Sequence, residues 1–77
     1  MNKNQRKQLE DIIGKILDLQ ESIEIIRDEE QEKLDNMPDN LINSERFSQI
    51  EEGISCLENA IDNLQTSCDD IQEAIER

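Results

Sequence analysis

The side chains best suited to chemistry in this 77-residue sequence are two cysteines, Cys56 and Cys68, and twenty carboxylates. A nucleophilic cysteine needs a cationic neighbour such as histidine to hold it as a thiolate. The sequence contains no histidine, and neither cysteine lies in a basic run or at a predicted helix N-terminus. We therefore expect no catalytic residue, and the composition indicates a protein that is not an enzyme.

The carboxylates form short runs, at residues 28–32 (DEEQE) and at residues 69–70 (DD). Consecutive side chains on a helix point in different directions, so such a run does not converge on one ion. Neither run has the ligand spacing and central glycine of an EF-hand loop. We expect no metal and no cofactor, and a solvated acidic helix face explains the runs better.

The formal net charge of −12 restricts the classes of partner. It disfavours direct binding to nucleic acid and to anionic membranes, because both interactions depend on Lys and Arg. It favours a protein partner that has a basic surface. No stretch approaches the roughly 20 apolar residues of a membrane span, and the first residues do not resemble a secretory signal. The sequence thus favours a cytoplasmic protein.

An uninterrupted heptad repeat runs from residue 47 to residue 75 and predicts a long helix over about 44–76. Positions a and d are apolar throughout, and the two cysteines would lie 12 residues apart on this helix. That separation is roughly 18 Å, which excludes a disulfide between them. The predicted seam consists of Phe47, Ile50, Ile54, Leu57, Ile61, Leu64, Cys68, Ile71 and Ile75.

A second apolar pattern predicts a first helix over about 3–36, and the residues around Pro38 predict a turn over about 37–43. Two long helices joined by a short turn form an antiparallel hairpin. If residue i faces residue 80 − i, six apolar layers align between the helices. The residues of the first helix in this predicted seam are Leu9, Ile12, Ile16, Leu19, Ile23 and Ile26. The fold class is therefore all-α, with residues 1–77 in one domain.

The apolar stripe of the first helix is wider than one partner helix can cover, and a lone two-helix seam has little net stability. We therefore expect two hairpins to pair as a homodimeric four-helix bundle. Small residues at position g of the second helix would permit close packing, either within the hairpin or between subunits. The candidate contacts for a second subunit or another partner are Ile13, Leu17, Ile25, Gly53, Ala60, Ser67 and Ala74.

The second helix is also strongly acidic outside its seam. Carboxylates spaced along a rod can imitate the phosphates of a duplex, so one alternative function is an acidic mimic that blocks a DNA- or RNA-binding protein. The other explanation is a surface that keeps the protein soluble. The candidate acidic face consists of Glu51, Glu52, Glu58, Asp62, Asp69, Asp70, Glu73 and Glu76.

The segment at residues 35–46 (DNMPDNLINSER), followed by Phe47 and acidic heptads, resembles small acidic helical-hairpin proteins of phages, mobile elements and low-G+C bacteria. These carry an Asn-Met-Pro-(Asp/Glu)-Asn-Leu turn and then Ser-Glu-Arg and an aromatic residue. The resemblance covers the turn and the second helix. It implies a phage or mobile-element origin, and hence action in the host cytoplasm, but no assigned function.

Three classes of function are consistent with these features. The first is a protein-binding module, such as a phage-encoded regulator or inhibitor of a bacterial host protein, for example a defence factor. The second is the acidic nucleic-acid mimic. The third is a structural or scaffolding oligomer that has no external target.

Overall fold

The computed structural model describes all 77 residues as two long α-helices joined by a short connection. Helix α1 spans Lys3–Asp35 and helix α2 spans Glu45–Glu76, with a single 3-10 turn at Asp39–Leu41 between them. The two helices pack against each other along a rod that measures 60 × 15 × 12 Å. The predicted all-α helical hairpin is confirmed, and each helix begins and ends within one residue of its predicted bounds.

Side-chain caps fix where both helices begin. The Asn2 side chain accepts a hydrogen bond from the backbone N–H of Gln5 at 2.7 Å, and the Gln5 side chain accepts one from the N–H of Asn2 at 3.0 Å. This capping box satisfies two N–H groups that the helix leaves unpaired. At the start of α2, Ser44 Oγ accepts from the backbone N–H of Phe47 at 3.2 Å.

Three residues of α2 form the buried core of the hairpin. Ile54, Ile61 and Cys68 are 6, 7 and 4% exposed, and all three lie at heptad position a. No residue of α1 is as deeply buried. Instead α1 presents half-buried residues whose spacing alternates between three and four, and Glu24 is its only half-buried residue outside that series. The series is Leu9, Ile13, Ile16, Gln20, Ile23, Arg27, Glu30 and Leu34.

The seam of α1 differs from the predicted one at three positions. Ile12, Leu19 and Ile26 are 40, 60 and 51% exposed, so they are not layers of the hairpin interface. Their places are taken by the next residue along the chain in each case, namely Ile13, Gln20 and Arg27. Ile13, predicted to contact a partner outside the seam, therefore lies on the side that faces α2.

The physical reason is that α1 has two overlapping seams. Leu9, Ile16 and Ile23 belong to both, and neighbouring residues on a helix are only about 100° apart. Rotating α1 by about half that angle therefore exchanges one flank for the other. The flank that faces α2 includes Gln20 and Arg27. The long aliphatic stem of Arg27 can cover apolar surface while its guanidinium bonds the carboxylate of Asp28, whereas the Oε1 atom of Gln20 is buried.

Candidate helix-packing surface

Heptad positions can be assigned to α1 from the residues that face α2. Ile13, Gln20, Arg27 and Leu34 then lie at a, and Leu9, Ile16, Ile23 and Glu30 lie at d. In an antiparallel pair the g positions of both helices flank the interface on one side, and the e positions flank it on the other. The hairpin therefore has two long faces that differ in the residues they present.

The face formed by positions d and g is apolar along most of its length, and we call it the open face. Its d positions are half-buried on both helices, in contrast to the three buried residues at position a in the middle of α2. The half-burial indicates that these side chains point partly away from the partner helix. The open face consists of Leu9, Ile12, Ile16, Leu19, Ile23 and Ile26 on α1 and of Ile50, Gly53, Leu57, Ala60, Leu64, Ser67, Ile71 and Ala74 on α2.

The two g series of the open face differ in size. On α1 the series Ile12, Leu19 and Ile26 forms a ridge of large exposed side chains. On α2 the series Gly53, Ala60, Ser67 and Ala74 is uniformly small, and we call it the trough. A Cβ atom added at Gly53 would meet nothing within 4 Å. The hairpin itself therefore does not require glycine at this position of the trough.

The open face carries no charge between Leu9 and Ile26 on α1 or between Ile50 and Ala74 on α2. Beyond Ile26 at the turn end, Glu30 and Lys33 form a salt bridge at 2.6 Å. All eight residues of the predicted acidic face are exposed, and all occupy positions b, c, e or f of α2. The charge of the protein is thus segregated from its exposed apolar side chains.

Three of the predicted partner contacts lie outside the open face, and the first of them, Ile13, lies on the side that faces α2. Leu17, 45% exposed, is at position e on the opposite flank of the hairpin. Ile25, 55% exposed, is at position f on the back of α1. The structure therefore does not bring Leu17 and Ile25 together with the trough residues. The ridge residues, which the sequence predicts in the seam, lie on the same face as the trough instead.

Two concave regions lie at the ends of the rod. The first, about 440 Å³, is near the turn, and its lining includes the apolar residues Leu34, Met37, Ile42 and Phe47 and the acidic residues Asp35 and Glu51. The second, about 270 Å³, lies at the start of α1 and is lined by Met1, Gln5, Gln8, Leu9 and Ile12. Because Leu9 and Ile12 belong to the open face, this second groove prolongs it.

The chemically reactive side chains are dispersed. Cys56 is exposed at position c, Cys68 is buried at position a, and both are free thiols. Cysteine and carboxylate side chains form no group of three or more that could hold a metal ion. Neither helix is long and apolar enough to cross a membrane.

Comparison of the chain with models of protein families, with curated proteins and with solved structures finds no match. An apolar face on a rigid helical pair, without charge and with a regular seven-residue repeat, has the features that helices use to pack against other helices.

Proposed function

We propose that this chain is a non-enzymatic protein-binding module whose binding surface is the open face. The observation that carries the proposal is the ridge Ile12, Leu19 and Ile26, three large apolar residues in heptad register that the hairpin leaves exposed. Single exposed apolar residues are common on proteins, but a contiguous exposed apolar patch marks an interaction site.

The chemistry of the open face specifies the kind of ligand. Its side chains repeat every seven residues, so the complementary surface is another helix with apolar residues at the same spacing. Helix-in-groove recognition derives its affinity from such repeated apolar anchors rather than from ion pairs. The partner segment is therefore an amphipathic helix, supplied either by a different protein or by another copy of the chain.

In its finer form the proposal is a phage-encoded regulator or inhibitor that acts on a bacterial protein, such as a defence factor, in the host cytoplasm. The resemblance of the turn at residues 35–46 to small proteins of phages and mobile elements supports this origin. The exposed acidic face supports a target with a basic surface, because complementary charge accelerates encounter.

A second candidate is the acidic mimic of a nucleic acid. The observation that favours it is that all eight carboxylates of the acidic face are exposed along α2, so none is occupied in the hairpin interface. The mimic would be favoured if the chain captures a DNA- or RNA-binding protein at about 0.05 M salt and releases it at about 0.5 M salt. Capture that persists at the higher salt concentration would exclude it.

The test of the primary proposal is affinity capture from bacterial lysate with a matched pair of variants. Leu19→Gln removes an apolar side chain from the ridge, whereas Ile25→Gln makes the same kind of change at a similarly exposed position outside the open face. We expect bound protein, whether host protein or untagged chain, to be lost with Leu19→Gln and retained with Ile25→Gln. Equal retention by both variants would show that the open face is not the binding surface.

A further inference from the structure

The geometry points to a second copy of this chain as the occupant of the open face, with α1 of each copy lying antiparallel on α2 of the other. The twofold axis of this four-helix bundle runs along the length of the rod. The inference rests on the proposed function, since it assumes that the open face is the binding surface, and it identifies the partner.

The exposed area of the hairpin matches the requirement of a stable dimer. The chain exposes 5840 Å². A globular monomer of 9.0 kDa exposes about 4,900 Å², so the hairpin exposes roughly 900 Å² more than its mass requires. A standard protein–protein interface buries about 800 Å² on each partner. Pairing through the open face would therefore bring each copy close to the exposure of an ordinary folded protein.

The distribution of charge favours a second copy over a basic partner at this face. A chain with net charge −12 resists self-association if its carboxylates meet across the interface. Here the open face is uncharged from Leu9 to Ile26 and from Ile50 to Ala74, so two copies can meet without opposing carboxylates. A basic partner, in contrast, would find no acidic group to pair with on this face.

The ridge and the trough determine how the two copies are arranged. A twofold interface uses the same patch on both subunits, so the patch must be complementary to itself. Placing α1 over α2 of the other copy seats each ridge in a trough. Both series repeat every seven residues, about 10.5 Å along a helix, so successive side chains stay in step. Placing α1 over α1 would instead oppose ridge to ridge and leave both troughs empty.

Half-buried d positions agree with this arrangement. In a four-helix bundle each helix faces two neighbours and uses a, d and one flanking position for that purpose. Ile16 and Ile23 would then lie in the centre of the bundle, with the a residues towards α2 of the same copy and the ridge towards α2 of the other. Each of the two overlapping seams of α1 then faces a helix, one of them α2 of the same copy and the other α2 of the second copy.

Sedimentation equilibrium on the purified full chain tests the inference. We expect a dimer at micromolar concentration for the unmodified chain and for Ile25→Gln, and a dissociation constant at least about tenfold larger for Leu19→Gln. Circular dichroism of both variants at a concentration high enough for dimers to form should show equal helix content, because Leu19 is 60% exposed in the single hairpin. A monomeric mass for the unmodified chain would overturn the inference.

The trough offers a second matched pair. Ser67 and Thr66 are adjacent, both are exposed, and the hydroxyl of each donates to the backbone carbonyl four residues earlier, at 3.0 and 3.1 Å. Ser67 lies in the trough and Thr66 lies at position f. We expect Ser67→Gln to weaken the dimer at least about tenfold and Thr66→Gln to leave it unchanged. Equal weakening of the dimer by the two substitutions would contradict the packing of one copy's ridge into the other copy's trough.

Disulfide trapping tests the arrangement of the helices. In a Cys56→Ser background, Leu19→Cys is made in one sample, and Ala60→Cys and Ser67→Cys are made in two others. When residue i lies level with residue 80 − i, Leu19 is nearest to Ala60, and Ser67 lies about 10.5 Å farther along the helix. We therefore expect mixed disulfides when Leu19→Cys is combined with Ala60→Cys, and few when it is combined with Ser67→Cys. Efficient homodisulfides of Leu19→Cys alone, without mixed products, would indicate α1 over α1 and overturn the arrangement.

The outcomes also separate this inference from the proposed function. A monomeric chain that captures a different helical protein, with loss of capture in Leu19→Gln, would leave the proposed function intact and overturn the second copy as occupant. A monomeric chain whose variants alter no binding at all would contradict both.

Discussion

Leu19 and Gln20 are adjacent on α1, and the hairpin interface takes the polar member of the pair. Gln20 is half-buried, and its side-chain oxygen Oε1 is buried without a hydrogen-bond partner, whereas Leu19 is 60% exposed. A helix with a single neighbour would gain free energy by rotating Leu19 inward and Gln20 outward. The observed orientation is the one expected of a helix whose apolar ridge packs against a further helix.

The buried oxygen of Gln20 leads to a stability prediction. Gln20→Leu replaces an unpaired polar group with an apolar side chain of similar size, and we expect the free energy of unfolding to rise by about 1–2 kcal/mol. Urea denaturation at one fixed protein concentration measures the change, because dimerisation would make the stability depend on concentration.

Gln65→Leu is the control for this substitution. Gln65 is exposed at position e, where its amide donates to Asp69 at 3.1 Å. An exposed hydrogen bond of this kind contributes little, so we expect a change within about 0.5 kcal/mol. A Gln20→Leu variant that is less stable than the unmodified chain would show that the Gln20 amide has a favourable partner in solution.

The start of α2 gives a second prediction, on the neighbouring residues Asn43 and Ser44, whose side chains are both of types that cap helices. Ser44 Oγ accepts from the Phe47 N–H, whereas the Asn43 side chain makes no cap hydrogen bond. We therefore expect Ser44→Ala to cost about 1 kcal/mol of stability and Asn43→Ala to cost much less. Thermal unfolding followed by circular dichroism distinguishes them, and an equal loss in both variants would contradict the assigned cap.

The two thiols should differ sharply in reactivity. Cys56 is exposed, whereas Cys68 is 4% exposed in the core of the hairpin. A thiol reagent should therefore label Cys56 at once and Cys68 only as fast as the hairpin opens. Mass spectrometry of the labelled chain measures both rates, and Cys56→Ser isolates the slow site. Rapid labelling of Cys68 under native conditions would show that α2 is not packed at this layer.

The same burial predicts the cost of changing Cys68. We expect Cys68→Ser to lower the free energy of unfolding by about 1–2 kcal/mol, because a hydroxyl replaces an apolar sulfur at a position that is 4% exposed. Cys56→Ser should change it by less than about 0.5 kcal/mol. Urea denaturation of the pair measures the difference, and equal stabilities would contradict a packing role for Cys68.

The sequence contains strong information about α2 and weaker information about α1. On α2 one apolar series has no competitor, so the heptad places Ile54, Ile61 and Cys68 at the positions that prove to be buried. On α1 two series overlap and share Leu9, Ile16 and Ile23. The series with Leu19 contains more apolar residues than the series with Gln20. The rotation of a helix, however, depends on the surroundings of both series and not only on the one that faces α2. The seven-residue repeat of Ile12, Leu19 and Ile26 is visible in the sequence, but the repeat alone does not determine which side of α1 faces α2.

The charge of the protein leads to a final prediction, on the effect of salt. The three salt bridges, Arg27–Asp28, Glu30–Lys33 and Glu73–Arg77, all include substantially exposed side chains and contribute little to stability. Repulsion among the remaining carboxylates acts along the whole rod, and it is screened as the Debye length falls from about 30 Å at 0.01 M salt to less than 8 Å at 0.5 M. We therefore expect the urea midpoint to rise with sodium chloride concentration.

A neutralised variant tests whether the acidic face is the source of this effect. Replacing Glu51 and Glu58 by Gln, and Asp62 and Asp69 by Asn, removes four negative charges from exposed positions and leaves the open face untouched. If repulsion dominates, this variant should be more stable at low salt and should respond less to added salt. Stability that falls with salt in the unmodified chain would instead show that the exposed salt bridges outweigh the repulsion.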